Sequence, residues 1–364
     1  MKPLSAAYYV KENKGRSAIV IFLLFMTTLL FLAGNYVDSV YYYWNRYEEY
    51  TDQLCVVSAL STDENFEEFA SVYRDLAADE KLIVQKRTPR GTQGLSWICT
   101  MGFEMGTASF VFDSPEDLKE AFDVLGIRGD VSGMENGTVC ISTALAKQYG
   151  LRKGDILDAS IQEGFKGSYK IAALIEDDSY IVFYVIPYEG VPLRLNVLSR
   201  ELSGQALRDH VNAIVAGRKA EVDHVATEMI EKQFSPFMLI FGVGMVLLSL
   251  VLAVIVNSVI TGQYMARTYE FGVYRAIGLS KGAIYAKVAG ELLLTDFLAI
   301  LCGGILTEVY TFLMNELFYL PKGQFLPYYS NMGMMAFLVS NALVVVPTIL
   351  LKGRSMSRSD VTEF

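Results

Sequence analysis

One short segment of the chain has the spacing of a catalytic nucleophile. Gly278-Leu-Ser-Lys-Gly282 fits the GxSxG motif, in which a serine on a sharp turn attacks a carbonyl group. Such a serine needs a histidine base within hydrogen-bonding distance, and the chain has only two histidines, His210 and His224. Whether Ser280 can act in hydrolysis therefore depends on whether either histidine can reach it.

Three acidic residues stand inside apolar sequence, namely Glu291, Asp296 and Glu308. An ionised group at the centre of a bilayer costs about 2.5–3.5 kcal/mol even on the mildest scale, so each needs shelter. A place at a helix interface or an aqueous rim is one hypothesis, and a proton or ion relay is the other. Glu291 has a ready partner in Lys287, which precedes it by one helical turn. We treat the three acids as candidate intramembrane functional residues.

The cysteines predict neither a metal site nor a disulfide framework. Cys55, Cys99, Cys140 and Cys302 are widely spaced and include no CxxC pair. Buried free thiols and a single bridge between two of the first three both remain open, and we favour buried thiols. We predict no metal ligands and no catalytic residues.

The chain also lacks the loop that would bind a nucleotide. No GxxxxGK[ST] sequence occurs, so the backbone cradle and lysine that hold phosphates are missing. Leu202-Ser-Gly-Gln205 resembles part of an ABC signature but lacks its second glycine, and we attribute it to chance. We predict that this chain is not an enzyme and binds no cofactor.

Four apolar segments must position these residues. With 52% hydrophobic residues, 20% charged residues and a mean hydropathy of +0.31, the chain reads as an integral membrane protein. The segments lie at 18–36, 237–260, 288–314 and 332–351, each close to or above the ~20 residues that cross a bilayer. The first could be a signal peptide, but its apolar run is too long and aromatic residues follow it, so we predict a retained helix.

Basic residues set the predicted orientation. They cluster before the first segment, between the second and third, and after the fourth, which places both termini in the cytoplasm. Residues 38–232 then lie outside the cytoplasm with both histidines, whereas Ser280 lies inside. A bilayer between a serine and its base excludes the hydrolase hypothesis.

The segment 38–232 carries the acidic character of the protein. It has 19 Lys and Arg against 32 Asp and Glu, whereas the rest of the chain has 12 against 8. Nucleic acid is therefore not an expected partner, because binding it needs a basic face. This segment is predicted to form an α+β domain. Helices are indicated by helical spacing at 63–77 and by a Ser114 N-cap before a helix that ends near Gly126, and strands by apolar runs at 108–112, 169–175 and 180–186.

Two further helices are predicted beside the second apolar segment. Residues 218–234 have apolar side chains at three-and-four spacing, so we expect one helix to run from there into the membrane, with Pro236 as its kink. The alternative is a separate helix that ends at Pro236. After the segment, Gly278 should end a short helix and Ser280 should cap the next one.

Two sequences resemble known families. Val139-Cys-Ile-Ser-Thr-Ala-Leu-Ala-Lys-Gln-Tyr-Gly-Leu-Arg-Lys-Gly-Asp-Ile-Leu157 is similar to the extracytoplasmic domain of MacB-type permeases. The sequence from Arg267 through Glu270-Phe-Gly-Val-Tyr-Arg-Ala-Ile-Gly-Leu-Ser-Lys281 to Glu291 resembles the FtsX-like permease signature. The order of one helix, a large ectodomain and three helices matches as well.

The resemblance implies a type VII ABC transporter permease in the inner or plasma membrane of a bacterial cell. Expected partners are a cytoplasmic ABC ATPase that binds ATP and Mg, a second permease subunit, membrane lipid and an extracytoplasmic accessory protein. The expected function is efflux or extraction of a peptide, antibiotic or lipid-linked substrate. The alternative is an FtsX-like signalling subunit that activates an extracellular cell-wall hydrolase.

The link between the second and third apolar segments is the expected contact with that ATPase, because it mixes apolar and charged side chains as a helix in a protein groove would. A basic loop at the membrane surface without a partner is the alternative. The candidate coupling residues are Arg267, Glu270, Phe271, Tyr274, Arg275, Ala276, Ile277, Gly278, Ser280 and Lys281.

The predicted architecture is an α-helical membrane protein with four transmembrane helices and an α+β extracytoplasmic domain between helices 1 and 2. The boundaries are 1–37 for the N-terminus and helix 1, 38–232 for the MacB-like ectodomain, 233–262 for helix 2, 263–287 for the coupling segment, 288–316 for helix 3, 317–331 for an outer loop, 332–351 for helix 4 and 352–364 for a cytoplasmic tail.

Overall fold

The computed structural model describes residues 6–60, 66–88, 94–190, 192–223 and 227–358. The α-helices of these residues are α1 (Ala6–Glu12), α2 (Lys14–Thr51), α3 (Phe66–Ala77), α4 (Pro115–Leu125), α5 (Thr143–Tyr149), α6 (Gly204–Val215), α7 (Thr227–Met265), α8 (Thr268–Ala276), α9 (Lys281–Met314) and α10 (Asn331–Arg358). A π-helical turn at Asn315–Tyr319 and a 3-10 turn at Leu320–Lys322 follow α9.

The strands of the same residues are β1 (Leu54–Ala59), β2 (Ile83–Arg87), β3 (Ser96–Ile98), β4 (Glu104–Gly106), β5 (Ala108–Phe112), β6 (Thr138–Ser142), β7 (Ile156–Leu157), β8 (Tyr169–Ile175), β9 (Ile181–Val185), β10 (Arg194–Leu198) and β11 (Ala220–Asp223). The chain divides into two compact units. Unit 1 comprises Met1–Asp38, Pro236–Met314 and Leu326–Phe364, and unit 2 comprises Ser39–Ser235 and Asn315–Phe325.

The predicted fold class is confirmed. Within the described ranges, four helical segments are long and apolar enough to cross a membrane: Lys14–Tyr43, Met238–Met265, Lys281–Lys322 and Asn331–Ser355. All eleven strands fall between the first and second of these segments. The protein is therefore a multi-pass membrane protein with an α+β region inserted after its first span.

Small residues let α2 approach its neighbours in unit 1. A Cβ atom added to Gly34 would lie 2.6 Å from the backbone nitrogen of Gly333 on α10, and one added to Gly303 on α9 would meet the side chain of Thr28. Glycine at such positions allows the close packing that holds spanning helices together in lipid. Beside Gly34, Asn35 accepts a hydrogen bond from Ser330 Oγ at 2.8 Å.

The face of α9 that packs inside unit 1 carries polar residues in several turns. Thr295, Asp296 and Thr307 are all buried. Asn341 Nδ2 of α10 donates to Asp296 Oδ1 at 2.9 Å, so the carboxylate is sheltered at a helix interface. The hydroxyl groups of the two threonines donate to backbone carbonyls one turn earlier in the same helix.

Unit 2 contains two larger sheets. The antiparallel order β11-β1-β10-β2 forms one, and α3 and α6 bury its apolar face through Phe69, Leu76 and Val211. The other has the order β5-β9-β6-β8-β7 and is mixed, because β5–β9 and β6–β8 are parallel pairs. Both of its faces are buried, as the wholly buried pattern of β9 shows.

Local signals in unit 2 predicted its helix ends well. Ser114 caps α4 by accepting from the backbone N–H of Asp117, and Ser142 caps α5 by accepting from Leu145. Gly126 and Gly150 end these helices in the left-handed conformation. The segment that resembled an ABC signature is the start of α6, for which Ser203 is the N-cap residue.

Three boundaries differ from the sequence prediction. The helix predicted from 218 is wrong at its start, because Ala220–Asp223 forms strand β11 against β1; α7 begins at Thr227 and continues through Pro236. Helix α9 begins at Lys281, seven residues before the predicted span at 288. The predicted loop at 317–331 starts later in the structure, because a π-helical turn and a 3-10 turn continue from α9 to Lys322.

A buried carboxylate fixes the last turns of α2 to the loop after β8. Asp177 is 8% exposed and accepts hydrogen bonds from Arg46 Nη2 at 2.8 Å, from the Tyr50 hydroxyl, and from the backbone and hydroxyl groups of Ser179. Burial alone would raise the pKa of Asp177, but the hydrogen bonds from Ser179 and Tyr50 and the positive charge of Arg46 lower it below its usual range.

We expect unit 2 to lose stability in acid through this residue. A lowered folded-state pKa stabilises the fold above the unfolded pKa of about 3.9, and this contribution disappears as the pH falls through the folded value. Asp177→Asn should therefore be less stable than the parent at neutral pH and should depend less on pH below about 4. Thermal unfolding across pH measures both effects.

The exposed pair of Asp123 and Arg200 provides the matched control, because its oxygen and nitrogen atoms are 2.9 Å apart and both side chains are more than half exposed. Asp123→Asn should leave the acid profile and the neutral-pH stability unchanged. Equal acid profiles for Asp177→Asn and the parent would contradict the role assigned to Asp177.

Candidate functional site

Helix α8 lies between two long helices and is bounded by local signals. The sequence predicted that Gly278 would end this helix. In the structure Gly278 has φ +89°, a conformation that other residues rarely adopt. Ser280 Oγ then accepts from the backbone N–H of Ala283 at 3.2 Å, which caps α9 as predicted. The helix is thus a separate nine-residue element between α7 and α9.

Arg267 joins the start of α8 to α9. It is 7% exposed, and its Nη1 and Nη2 atoms lie 2.8 Å and 3.2 Å from the two carboxylate oxygens of Glu291. Its Nε and Nη2 atoms also donate to Glu270 at 2.7 Å and 3.0 Å. One guanidinium group therefore holds a carboxylate from α8 and another from α9 in paired contacts.

Other side chains complete the shell around Glu291, which is 1% exposed. Lys287 Nζ lies 3.0 Å from its Oε1 atom, as the one-turn spacing predicted. The hydroxyl group of Tyr264, at the end of α7, donates to Oε2 at 3.1 Å. Helices α7, α8 and α9 therefore meet at this carboxylate.

Helix α1 also reaches this cluster. The guanidinium carbon of Arg267 lies 4.1 Å from the centre of the Tyr9 ring, within the range of a cation–π contact. Tyr9 is 8% exposed, and its hydroxyl group donates to Gln263 Oε1 at 3.4 Å. We call Tyr9, Arg267, Glu270, Lys287 and Glu291 the Arg267 cluster.

The charges of the cluster stabilise one another. Burial alone would raise the pKa of Glu270, but hydrogen bonds from Arg267 and Tyr274 lower it below its usual range. Burial and the hydrogen bond to Glu270 raise the pKa of the Tyr274 hydroxyl group to about 12. At neutral pH, Glu270 is therefore an acceptor and Tyr274 a donor, at 2.8 Å.

The predicted coupling residues divide into an inward and an outward set. Arg267 and Phe271 are buried, and Phe271 packs on the Tyr264 ring, so neither offers a surface to a partner. Glu270, Tyr274 and Arg275 are half-buried. The exposed members are Ala276, Ile277, Gly278, Ser280 and Lys281.

The exposed surface of α8 includes Tyr269, an aromatic side chain that the sequence did not single out. Tyr269 is 76% exposed and Val273 is 41% exposed, and with Ile277, at 69%, they occupy positions separated by four residues. That spacing places them on one face of the helix, which ends at Ala276. The pattern was visible in the sequence, but nothing there showed which face of α8 would be buried.

The intramembrane acids have different surroundings. Glu291 belongs to the Arg267 cluster, and Asp296 pairs with Asn341 at a helix interface. Glu308 is half-buried and accepts a hydrogen bond from the hydroxyl group of Tyr329. These contacts do not bring the three acids into one site, and their role as functional residues stays a prediction.

Ser280 and His210 each make contacts other than the serine–histidine hydrogen bond that a hydrolase needs. The Ser280 hydroxyl oxygen caps α9, and His210 Nε2 lies 2.7 Å from Asp79 Oδ2 in unit 2. His224 lies outside the described residues. Across the described ranges, no group of three His, Cys, Asp or Glu side chains could hold a metal ion, and the four cysteines are free thiols, three of them buried.

Residues 242–356, which contain α8, α9 and most of α7 and α10, match the family model described as the FtsX-like permease C-terminal domain. A solved structure described as a domain of a putative permease protein from Porphyromonas gingivalis is 12% identical, with a TM-score of 0.27 over 48% of this chain and 91% of that chain. A TM-score this low supports no inference. No curated protein sequence matches this chain.

Proposed function

We propose, from the match of residues 242–356 to the FtsX-like permease C-terminal family model, that the chain is a membrane subunit of the ABC transporter class and that it couples ATP hydrolysis by a separate cytoplasmic ATPase to movement of its helices. ATP and Mg would bind to that ATPase. The observation that carries the proposal is the Arg267 cluster, which ties an exposed short helix to a spanning helix.

The proposed docking surface is the exposed face of α8 and the residues after it. Tyr269, Val273 and Ile277 supply apolar contact area, and Lys281 supplies a charge at the start of α9. Short amphipathic helices commonly bind in grooves in this manner. Phe271 anchors the buried side of α8, because its fully buried ring packs on Tyr264 and Tyr274.

The proposed route inward passes through Arg267. A displacement of α8 would move the guanidinium group, which holds both oxygens of Glu291 on α9. The same group contacts Tyr9 of α1, and Glu291 accepts from Tyr264 of α7. Charge-assisted paired contacts of this kind resist rearrangement more than apolar contacts do, because their geometry is directional.

We also propose that the link 263–287 and both termini are cytoplasmic, which the basic residues beside the apolar segments support. We also propose a second permease subunit. Helix α7 offers apolar side chains for such a contact or for lipid, since Ile240 and Val254 are 71% and 69% exposed. The proposed cargo is a peptide, antibiotic or lipid-linked molecule, moved by efflux or extraction.

Co-purification tests the partner. The tagged full-length chain is isolated from its native membrane in mild detergent, and bound proteins are identified by mass spectrometry. An ABC ATPase should accompany the parent protein and should be lost from the double variant Tyr269→Ser, Ile277→Asp, because both side chains lie on the proposed docking surface.

Leu60→Asp is the control, since Leu60 is also an exposed apolar residue, at 59%, but belongs to unit 2. It should retain the ATPase. The proposal fails if no ATPase accompanies the parent protein, or if the double variant retains the ATPase as fully as the control does. In the reconstituted complex, stimulation of ATP hydrolysis by cargo would favour transport, and stimulation only by a bound cell-wall hydrolase would favour signalling.

A further inference from the structure

The turn between β3 and β4 is held by residues of two spanning segments. Ser39 Oγ and Thr100 Oγ1 lie 2.5 Å apart, and the Tyr319 hydroxyl group donates to the Thr100 carbonyl at 3.3 Å. Ser39 belongs to the candidate span Lys14–Tyr43, and Tyr319 to the candidate span Lys281–Lys322. The turn therefore lies at the level where these two apolar segments end.

Further contacts hold the hairpin in this position. Gln324, 2% exposed, donates from Nε2 to the carbonyl of Ile98 at 2.6 Å. Trp97 stacks on Tyr180 with ring centres 3.9 Å apart, and Tyr43 meets its edge at 5.0 Å. The position of the hairpin is thus set by neighbours on both sides of the turn.

The hairpin nevertheless exposes large apolar side chains. Ile98 is 61% exposed between Trp97 and Cys99, which are each 3% exposed, and Phe103, just before β4, is 52% exposed. Alternation along β3 buries the face that carries Trp97 and exposes the face that carries Ile98. The segment that contacts the turn is also apolar on its surface, since Leu317 and Phe318 are 65% and 54% exposed.

We propose that the β3–β4 hairpin is a lipid-contact element, which places Ile98 and Phe103 in the interfacial region of the bilayer at the ends of these spans. Lipid is the favoured occupant because the hairpin is hydrogen-bonded to Tyr319, which belongs to a spanning segment, and because this segment exposes the neighbouring apolar side chains of Leu317 and Phe318. Aromatic and apolar side chains are stable at this depth, where headgroups and acyl chains meet. This role requires no ATPase and is independent of the proposed coupling.

Fluorescence quenching tests the contact. The full-length Phe103→Trp variant is placed in nanodiscs whose lipids carry bromine near the headgroup end of the acyl chain. The native protein has two tryptophans, Trp44 and Trp97, so the signal of the added residue is the difference between variant and parent. We expect this added emission to be blue-shifted and strongly quenched. Ile98→Trp should behave in the same way.

Leu60→Trp is the matched control, because Leu60 is an equally exposed apolar residue of the same unit that follows β1 of the other sheet. Its added emission should be that of a tryptophan in water and should resist quenching. If Phe103→Trp and Ile98→Trp are quenched no more than Leu60→Trp, the hairpin faces solvent or a protein partner, and the lipid contact is disproved.

Discussion

Arg267→Met is expected to destabilise the helical unit by about 3 kcal/mol, the lower end of the range for breaking a buried ion pair. The variant leaves the Glu291 carboxylate, 1% exposed, without its paired donor. Lys287 and Tyr264 still contact this carboxylate, which is why the loss should not be larger. Denaturant-induced unfolding in bicelles, followed by helical circular dichroism, measures the change.

Two further variants separate the buried charge from the exposed one. Glu270→Gln removes the other carboxylate that Arg267 holds, but the Glu270 side chain is 37% exposed, so the loss should be about 1 kcal/mol or less. Adding Glu291→Gln to Arg267→Met should recover part of the stability, because no unpaired carboxylate then remains buried. Equal losses for Arg267→Met and Glu270→Gln would show that burial of Glu291 does not control the stability of the cluster.

Gly34→Val is expected to cost about 1–3 kcal/mol or more, because it overpacks the contact between α2 and α10. A Cβ atom at position 34 would lie 2.6 Å from the nitrogen of Gly333 and 2.9 Å from the carbonyl carbon of Met332. Both atoms are backbone, so no rotamer change can relieve the clash and the helices must separate. The same bicelle unfolding assay reports the loss.

Gly304→Val provides the comparison, since a Cβ atom at position 304 meets no heavy atom within 4 Å. Both substitutions introduce valine into a spanning helix, so they share the effect on helix propensity. Gly304→Val should therefore unfold close to the parent protein. A Gly34→Val variant as stable as Gly304→Val would mean that α2 and α10 are not held in close contact.

Features that depend on local sequence were predicted correctly. In the caps at Ser114, Ser142 and Ser280, the serine hydroxyl oxygen accepts a hydrogen bond from the backbone N–H three residues later. The ion pair of Lys287 and Glu291 follows from their spacing of four residues, which is about one turn of a helix. In these cases the geometry follows from the secondary structure alone, so the spacing of the residues was sufficient.

Features that join distant segments could not be predicted from one sequence. Arg267 and Glu291 are 24 positions apart, and Tyr9 lies far before both. Their contact depends on how α1, α8 and α9 pack, which residue spacing does not encode. Strand β11 illustrates the same limit, because pairing with β1 overrides a helical pattern of apolar residues.

The two ends of α8 are attached to α9 in different ways. At its N-terminal end, Arg267 is hydrogen-bonded to Glu291 of α9. At its C-terminal end, the backbone turns at Gly278, and α9 begins at Lys281, directly after Ser280. A helix attached to its neighbour at one end can move alone, whereas a helix attached at both ends transmits force to that neighbour. Because α8 is attached to α9 at both ends, we expect a displacement of Ile277 to move α9 as well.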